Sequence, residues 1–325
     1  MAIPRVCFDV GTTNTRAWLV DGPVVLVRRS AQVGVRDAAR TGATTVIENV
    51  VRDLVGELSS LGSTPPDCVC AAGMITSPLG LAEVPHVAAP AGLEALARHV
   101  RRLDRPDLAP IPIFLVPGVR TGDSRHPAAG DVMRGEETLA IGAMASGALR
   151  RGGRLLTVGS HWKLISMDED GRVAGSRTSL GGETIHAWQA ATLLSSSLPE
   201  GPLDIVDREW VAAGAEAARA GGLLRTAFQV RVLDQAGTTT PAQRLNWILG
   251  AAVADDLDAL VRAGHLASGM AIGVAGPSAV PLIWAQLLED AGCLPVVWEA
   301  EATERAFLWG LHAILESRAS GAEPR

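Results

Sequence analysis

Apolar positions at the start of the chain fall into short alternating runs. Val6, Cys7, Phe8 and Val10 flank Asp9, small and polar residues fill Gly11 to Thr15, and Ala17 to Val20 are apolar again. That pattern predicts a β-hairpin, and Val24 to Arg28 supplies a third strand. Helical spacing follows, with Ile47, Val50, Val51, Leu54, Leu58 and Leu61 on one side, Glu48, Arg52, Asp53 and Glu57 on the other, and Gly62 as the stop. Strands over 68–72 and 111–116 each run into a loop, Gly73 to Pro78 and Pro117-Gly118. The second half is predicted to open with a helix over 131–147. Strands 155–158 and 164–167 follow around Gly159-Ser160-His161, with a turn at 168–171. A helix over 243–262, a strand over 270–274, a helix over 278–290, a strand over 295–298 and a helix over 302–316 complete the chain. Both halves carry a glycine-and-hydroxyl hairpin within an α/β order, which predicts a duplicated core in two lobes with a cleft. Residues 117–130, rich in Pro, Gly, Asp and Ser, are the expected crossing, giving lobes 1–120 and 121–325.

The chain has 325 residues, 47% of them hydrophobic, enough for two cores. A net charge of −6 and the lack of a basic run exclude a nucleic-acid surface or a membrane patch, so the expected ligand is small. Cys7, Cys68, Cys70 and Cys293 lack zinc or disulfide spacing and are expected as buried thiols. The start of the chain shows no signal-peptide pattern and the stretch 266–288 is broken by Gly and Pro, so the expected location is the cytoplasm. Lys163 is the single lysine among 29 basic residues, which points to a site wanting a compact ammonium, or to drift in an arginine-rich composition.

Three segments carry candidate chemistry. Asp9 ends a strand before Gly11, Thr12, Thr13, Asn14 and Thr15, whose amides and hydroxyls can cradle an anion, although an ordinary hairpin has the same composition. Asp131 precedes Arg134, Gly135, Glu136 and Glu137 at the expected start of a helix. It suits an N-cap first, and it is compatible with a base that takes a proton from a substrate hydroxyl. Gly159 and Ser160, with Lys163 close behind, repeat the cradle grammar. Gly276 to Ser278 follow a strand and precede a helix, where adenosine could lie against backbone. No Walker loop, metal-binding histidine pair or catalytic triad is legible.

These segments together resemble the sugar-kinase branch of the actin/hexokinase/Hsp70 (ASKHA) superfamily and, within it, the 2-dehydro-3-deoxygalactonokinase family. The resemblance covers nearly the whole chain and rests on 9–16, 73–77, 83–86 with Pro90-Ala91, 116–118, 131–138, 159–163, 181–184 and 308–311. The string Asp131-Val-Met-Arg-Gly-Glu-Glu137 is the most specific of these. Departures include Gly-Ser-His-Trp-Lys for the usual Gly-Thr-His-Ser-Lys-Trp, Thr76 for a glycine, and His86 for an aromatic. The resemblance implies an actin-like, ribonuclease H-like α/β fold with an interlobe cleft, and ATP-dependent phosphorylation of 2-dehydro-3-deoxy-D-galactonate at O6. Another sugar acid, or a nucleotide-switched module without catalysis, are the alternatives. It implies Asp131 as base and Asp9 as the holder of Mg²⁺. Nucleotide contacts would come from Asp9, Gly11, Thr12, Thr13, Asn14, Gly159, Ser160, Gly276 and Ser278. Sugar-acid contacts would come from Arg16, Gly73, Met74, Thr76, Ser77, His86, Arg134 and Lys163. The expected partner is the small sugar acid alone, with a homodimer left open.

Overall fold

The computed structural model describes residues 4–22, 24–122 and 130–321. The chain divides into two compact units, Met1–Gly152 with Ser166–Ser176 and Glu304–Arg325, and Gly153–Ile165 with Arg177–Thr303. Residues 123–129, part of the expected crossing, lie outside the described residues.

In chain order the first unit contains β1 (Arg5–Val10), β2 (Thr15–Asp21), β3 (Val24–Ala31), α1 (Val35–Thr41), α2 (Thr45–Leu61), β4 (Cys68–Gly73), β5 (Val87–Ala88), α3 (Leu93–Arg98), β6 (Arg101–Leu103), β7 (Ile113–Leu115), β8 (Val119–Thr121), β9 (Asp131–Met133) and α4 (Glu136–Ala145). Then come β10 (Arg154–Val158), β11 (Trp162–Met167), β12 (Val173–Ser179), α5 (Gly181–Ala191), α6 (Arg208–Gly221), α7 (Leu223–Gln235), α8 (Pro241–Arg262), β13 (Ala271–Ala275), α9 (Val280–Asp290), β14 (Leu294–Val297) and α10 (Ala300–Gly321).

One sheet runs β3-β2-β1-β4-β7-β6 and another runs β12-β11-β10-β13-β14. In each, the opening strand of a meander lies parallel to the fourth strand, as β1 lies on β4 and β10 on β13. The duplicated core expected from the two hairpins is present. Alternation along β1 divides its residues between the two faces of the sheet. Val6, Phe8 and Val10 are buried in one cluster with Ile47, Val51 and Leu58 of α2, so Cys7 and Asp9 point to the opposite face of the sheet. All four cysteines are buried and free, and burial raises the Cys7 thiol to about 12, which keeps it protonated. Among the described residues no helix is long and apolar enough to cross a membrane.

The segment after residue 130 departs from the expected helix over 131–147. Asp131 to Met133 extend as β9 and pair antiparallel with β8, Thr121 opposite Asp131 and Val119 opposite Met133. Gly135 then takes φ +106°, a conformation outside the helical region, so α4 starts only at Glu136. Asp131 is therefore a strand residue, and the N-cap position belongs to Gly135.

Helix α10 crosses α4 backbone to backbone. A Cβ on Gly142 would stand 1.7 Å from the Ala306 carbonyl oxygen, and one on Gly310 would stand 2.0 Å from that of Thr138. Gly310→Ala is therefore expected to lower unfolding stability by about 3 kcal/mol through overpacking. By contrast, Gly56→Ala, at an open position within α2, should raise stability by about 0.5–1 kcal/mol. Urea midpoints of the two variants check both signs.

Candidate active site

Asp9 leaves the end of β1 opposite Arg16 of β2, whose Nη1 donates to Asp9 Oδ2 at 3.2 Å. Burial pushes the Asp9 carboxyl above its ordinary value, Arg16 draws it back down, and the negative charge of Glu136 adds to the rise. Two glycines make room for this group. A Cβ on Gly73 would lie 3.2 Å from Asp9 Oδ1 and 2.5 Å from the Val10 carbonyl oxygen. One on Gly135 would lie 3.9 Å from Asp9 Oδ1 and 3.2 Å from the Gly73 Cα. Bare backbone from β4 and from the turn before α4 thus walls the carboxylate.

The adjoining turn is braced from outside the hairpin. Gly11 N donates to the Asn14 carbonyl at 2.8 Å, while the carbonyls of Gly11 and Thr12 accept from Val35 N and Arg36 N at the start of α1. Gly34 presses on the loop so closely that a Cβ there would sit 2.4 Å from the Thr12 carbonyl. Its backbone is extended, so the need for glycine is one of space alone.

Arg134 joins the loops after β4 to the end of β9. Its Nη1 donates to Thr76 Oγ1 at 2.8 Å and to the Val84 carbonyl at 3.0 Å, and Nη2 lies 3.4 Å from His86 Nδ1. Desolvation lowers its proton affinity, opposed by the charges of Glu137 and Glu83. Gly118 is a further requirement, since a Cβ there would meet the Met133 carbonyl at 2.2 Å and Arg134 Cγ at 2.8 Å. The buried Ser77 donates to the Met74 carbonyl at 2.7 Å, which fixes the turn after Gly73.

Asp131 is oriented at both oxygens. Oδ1 accepts from Val132 N at 2.8 Å and Oδ2 from Ser176 Oγ at 2.7 Å. Glu137, expected as an acid at the positive end of a helix, is fully buried, and both its oxygens accept from Gly135 N at 2.9 Å, with Thr138 Oγ1 donating to Oε1. Burial raises its carboxyl to about 7. Glu136 accepts from Arg134 N through Oε2 at 3.1 Å.

The second unit repeats the braced loop. Gly159 N donates to the His161 carbonyl at 3.1 Å, and Glu183 N donates to the Ser160 carbonyl at 2.8 Å. A Cβ on Gly182 would stand 2.1 Å from the Gly159 carbonyl. The loop borders a cavity of about 340 Å³ whose walls include Gly182, His186, Gln189, Pro277 and Ser278. Gly276 passes tightly beneath it, with 2.1 Å between its would-be Cβ and the Val158 carbonyl, and Ser278 adopts φ +66°. Lys163 is buried in β11.

The first unit therefore gathers Asp9, Arg16, Gly73, Thr76, His86 and Arg134 around one stretch of backbone, and the second gathers Gly159, Gly276 and Ser278 near one cavity. Among the described residues no group of three or more His, Cys, Asp or Glu side chains is arranged to hold a metal ion.

A family model described as "2-keto-3-deoxy-galactonokinase" matches residues 9–314. The chain is 33% identical over 195 residues to a Rhizobium meliloti (strain 1021) protein named "Probable 2-dehydro-3-deoxygalactonokinase DgoK1", covering 59% of this chain and 58% of that relative. It is 25% identical to the "2-dehydro-3-deoxygalactonokinase" of Escherichia coli (strain K12), over 98% of this chain and all of that one. A crystal structure from Sinorhizobium meliloti superposes with TM-score 0.75 at 24% identity, covering 98% of this chain and 100% of the other, and shows the same fold.

The raised Glu137 carboxyl has a signed consequence for stability. Folding favours its protonated form, so the contribution is complete below the ordinary carboxylate value near 4.5 and is lost as pH rises through about 7. Glu137→Gln keeps an acceptor for Gly135 N without the buried charge. Its Tm relative to the native protein should climb between pH 5 and pH 8.

Proposed function

The chain belongs to the 2-keto-3-deoxygalactonokinase family, and from that premise we propose that it transfers the γ-phosphoryl group of ATP to the terminal hydroxyl of 2-dehydro-3-deoxy-D-galactonate in the cytoplasm. The single observation that supports this reading best is the segment from Asp131 to Glu137. It carries one charged side chain, Arg134, into the loops that bear Thr76 and His86, and turns through Gly135 against Asp9.

In this reading Arg134, with His86, Thr76, Ser77, Gly73, Met74, Arg16 and Lys163, serves the sugar acid, whose carboxylate needs cationic partners. Gly11, Thr12, Thr13, Asn14, Gly159 and Ser160 offer donors to phosphate, and Gly276 and Ser278 serve adenosine. Asp9 would hold Mg²⁺ through water, and the ion when bound would neutralise charge on the phosphates. Asp131, fixed by Ser176, takes the hydroxyl proton as the O–P bond forms and ADP departs with the electron pair of the broken bond.

A panel of sugar acids assayed for ADP release tests the substrate. The highest kcat/KM is expected with 2-dehydro-3-deoxy-D-galactonate, and another acid ahead of it moves the assignment. Tight ATP binding without ADP from any acid would support a nucleotide-switched module instead. Asp131→Asn should lose ~10²–10⁴ in turnover with ATP binding intact. Near-native turnover in that variant moves the base to another residue.

A further inference from the structure

One face of α5 lines the cavity in the second unit. Gly182, Ile185, His186 and Gln189 recur there at helical spacing. Gln189 is fixed in a specific orientation. Its Nε2 donates to the Pro199 carbonyl and to the Gly201 carbonyl, each at 2.8 Å. Both amide hydrogens are thereby used, and a flipped amide would set Oε1 against two carbonyl oxygens. Gln189 can offer a ligand only an acceptor. His186, one turn earlier, has ring nitrogens that can donate as well as accept. Pro202, Pro277 and Val280 add apolar walls suited to a flat heterocycle.

Resting on the kinase reading with adenosine at Gly276 and Ser278, we propose that Gln189 and His186 select the nucleotide base. Gln189 Oε1 accepts from the exocyclic 6-amino group of adenine, and His186 donates to a ring nitrogen. A 6-oxo purine presents oxygen lone pairs to Gln189 Oε1, and the amide cannot rotate to relieve the repulsion without breaking both bonds to the 199–201 loop. The discrimination is therefore between 6-amino and 6-oxo purines, and it is built into the wall before any ligand arrives.

Titration calorimetry of the native protein with ADP, IDP and purine riboside diphosphate, without sugar acid, isolates the base from turnover. Removing the amino group should weaken binding about tenfold, and replacing it by oxygen about thirtyfold or more. In Gln189→Leu the three affinities should converge to within about threefold, whereas His186→Ala, which leaves the loop bonds in place, should weaken ADP about fivefold and keep it ahead of IDP. Equal affinity of the native protein for ADP and IDP overturns the proposal, as does a Gln189→Leu variant that keeps the native ratio. Selective ADP binding with no sugar acid phosphorylated defeats the substrate assignment and leaves this one standing, and failure of all three nucleotides to bind defeats both.

Discussion

A half-buried carboxylate against bare backbone is the constraint around which the first unit is organised. Asp9 is desolvated at the end of β1, and Arg16 offsets part of that cost with a direct ion pair. The space it needs exists because Gly73 and Gly135 have no side chains. Both glycines hold positive φ, so a larger residue at either would lose twice, by collision and by strain. The neighbouring buried Glu137 spends its oxygens holding the Gly135 turn in that conformation. Local electrostatics and the close packing of backbone are thus one problem here, solved by one short segment.

The same solution to a different problem recurs in the two sheets. Each has a meander whose first turn carries glycine and hydroxyl groups, and in each a glycine at the start of a later helix presses on that turn from outside. Gly34 does so on Thr12, and Gly182 on Gly159. A glycine-containing turn draws little rigidity from its own side chains. Backbone hydrogen bonds from Val35, Arg36 and Glu183 supply it instead. The brace recurs with the hairpin in both sheets.

What could be read from the sequence followed from how local each signal is. The hairpin around Gly11, α2 with its stop at Gly62, and α8 announce themselves by period and punctuation, and they stand where the pattern put them. Three-residue β9 could not be seen that way. Its pairing with β8 is non-local, and acidic residues followed by alanine imitate a helix start. Helices α6 and α8 approach through Gly214 and Gly250, whose contacts with partner backbone carry no hydrophobic signal in the sequence. Glu137 looked like an ordinary acid in a first helical turn, and only its burial reveals the turn it holds. Arg134, Thr76 and His86 were each legible as candidates, while their convergence was a tertiary fact.

The glycine crossing of α4 and α10 has a consequence for synthesis. The closing helix of the first unit is encoded after the entire second one, and Glu304 on it also receives Trp18 and Arg28 from the opening meander. As the polypeptide leaves the ribosome, the segment 177–303 has all its strands and helices in hand before the earlier-made sheet acquires its last support. The sheet that contains β1 and β4 is thus made before the second unit and receives α10 only after it.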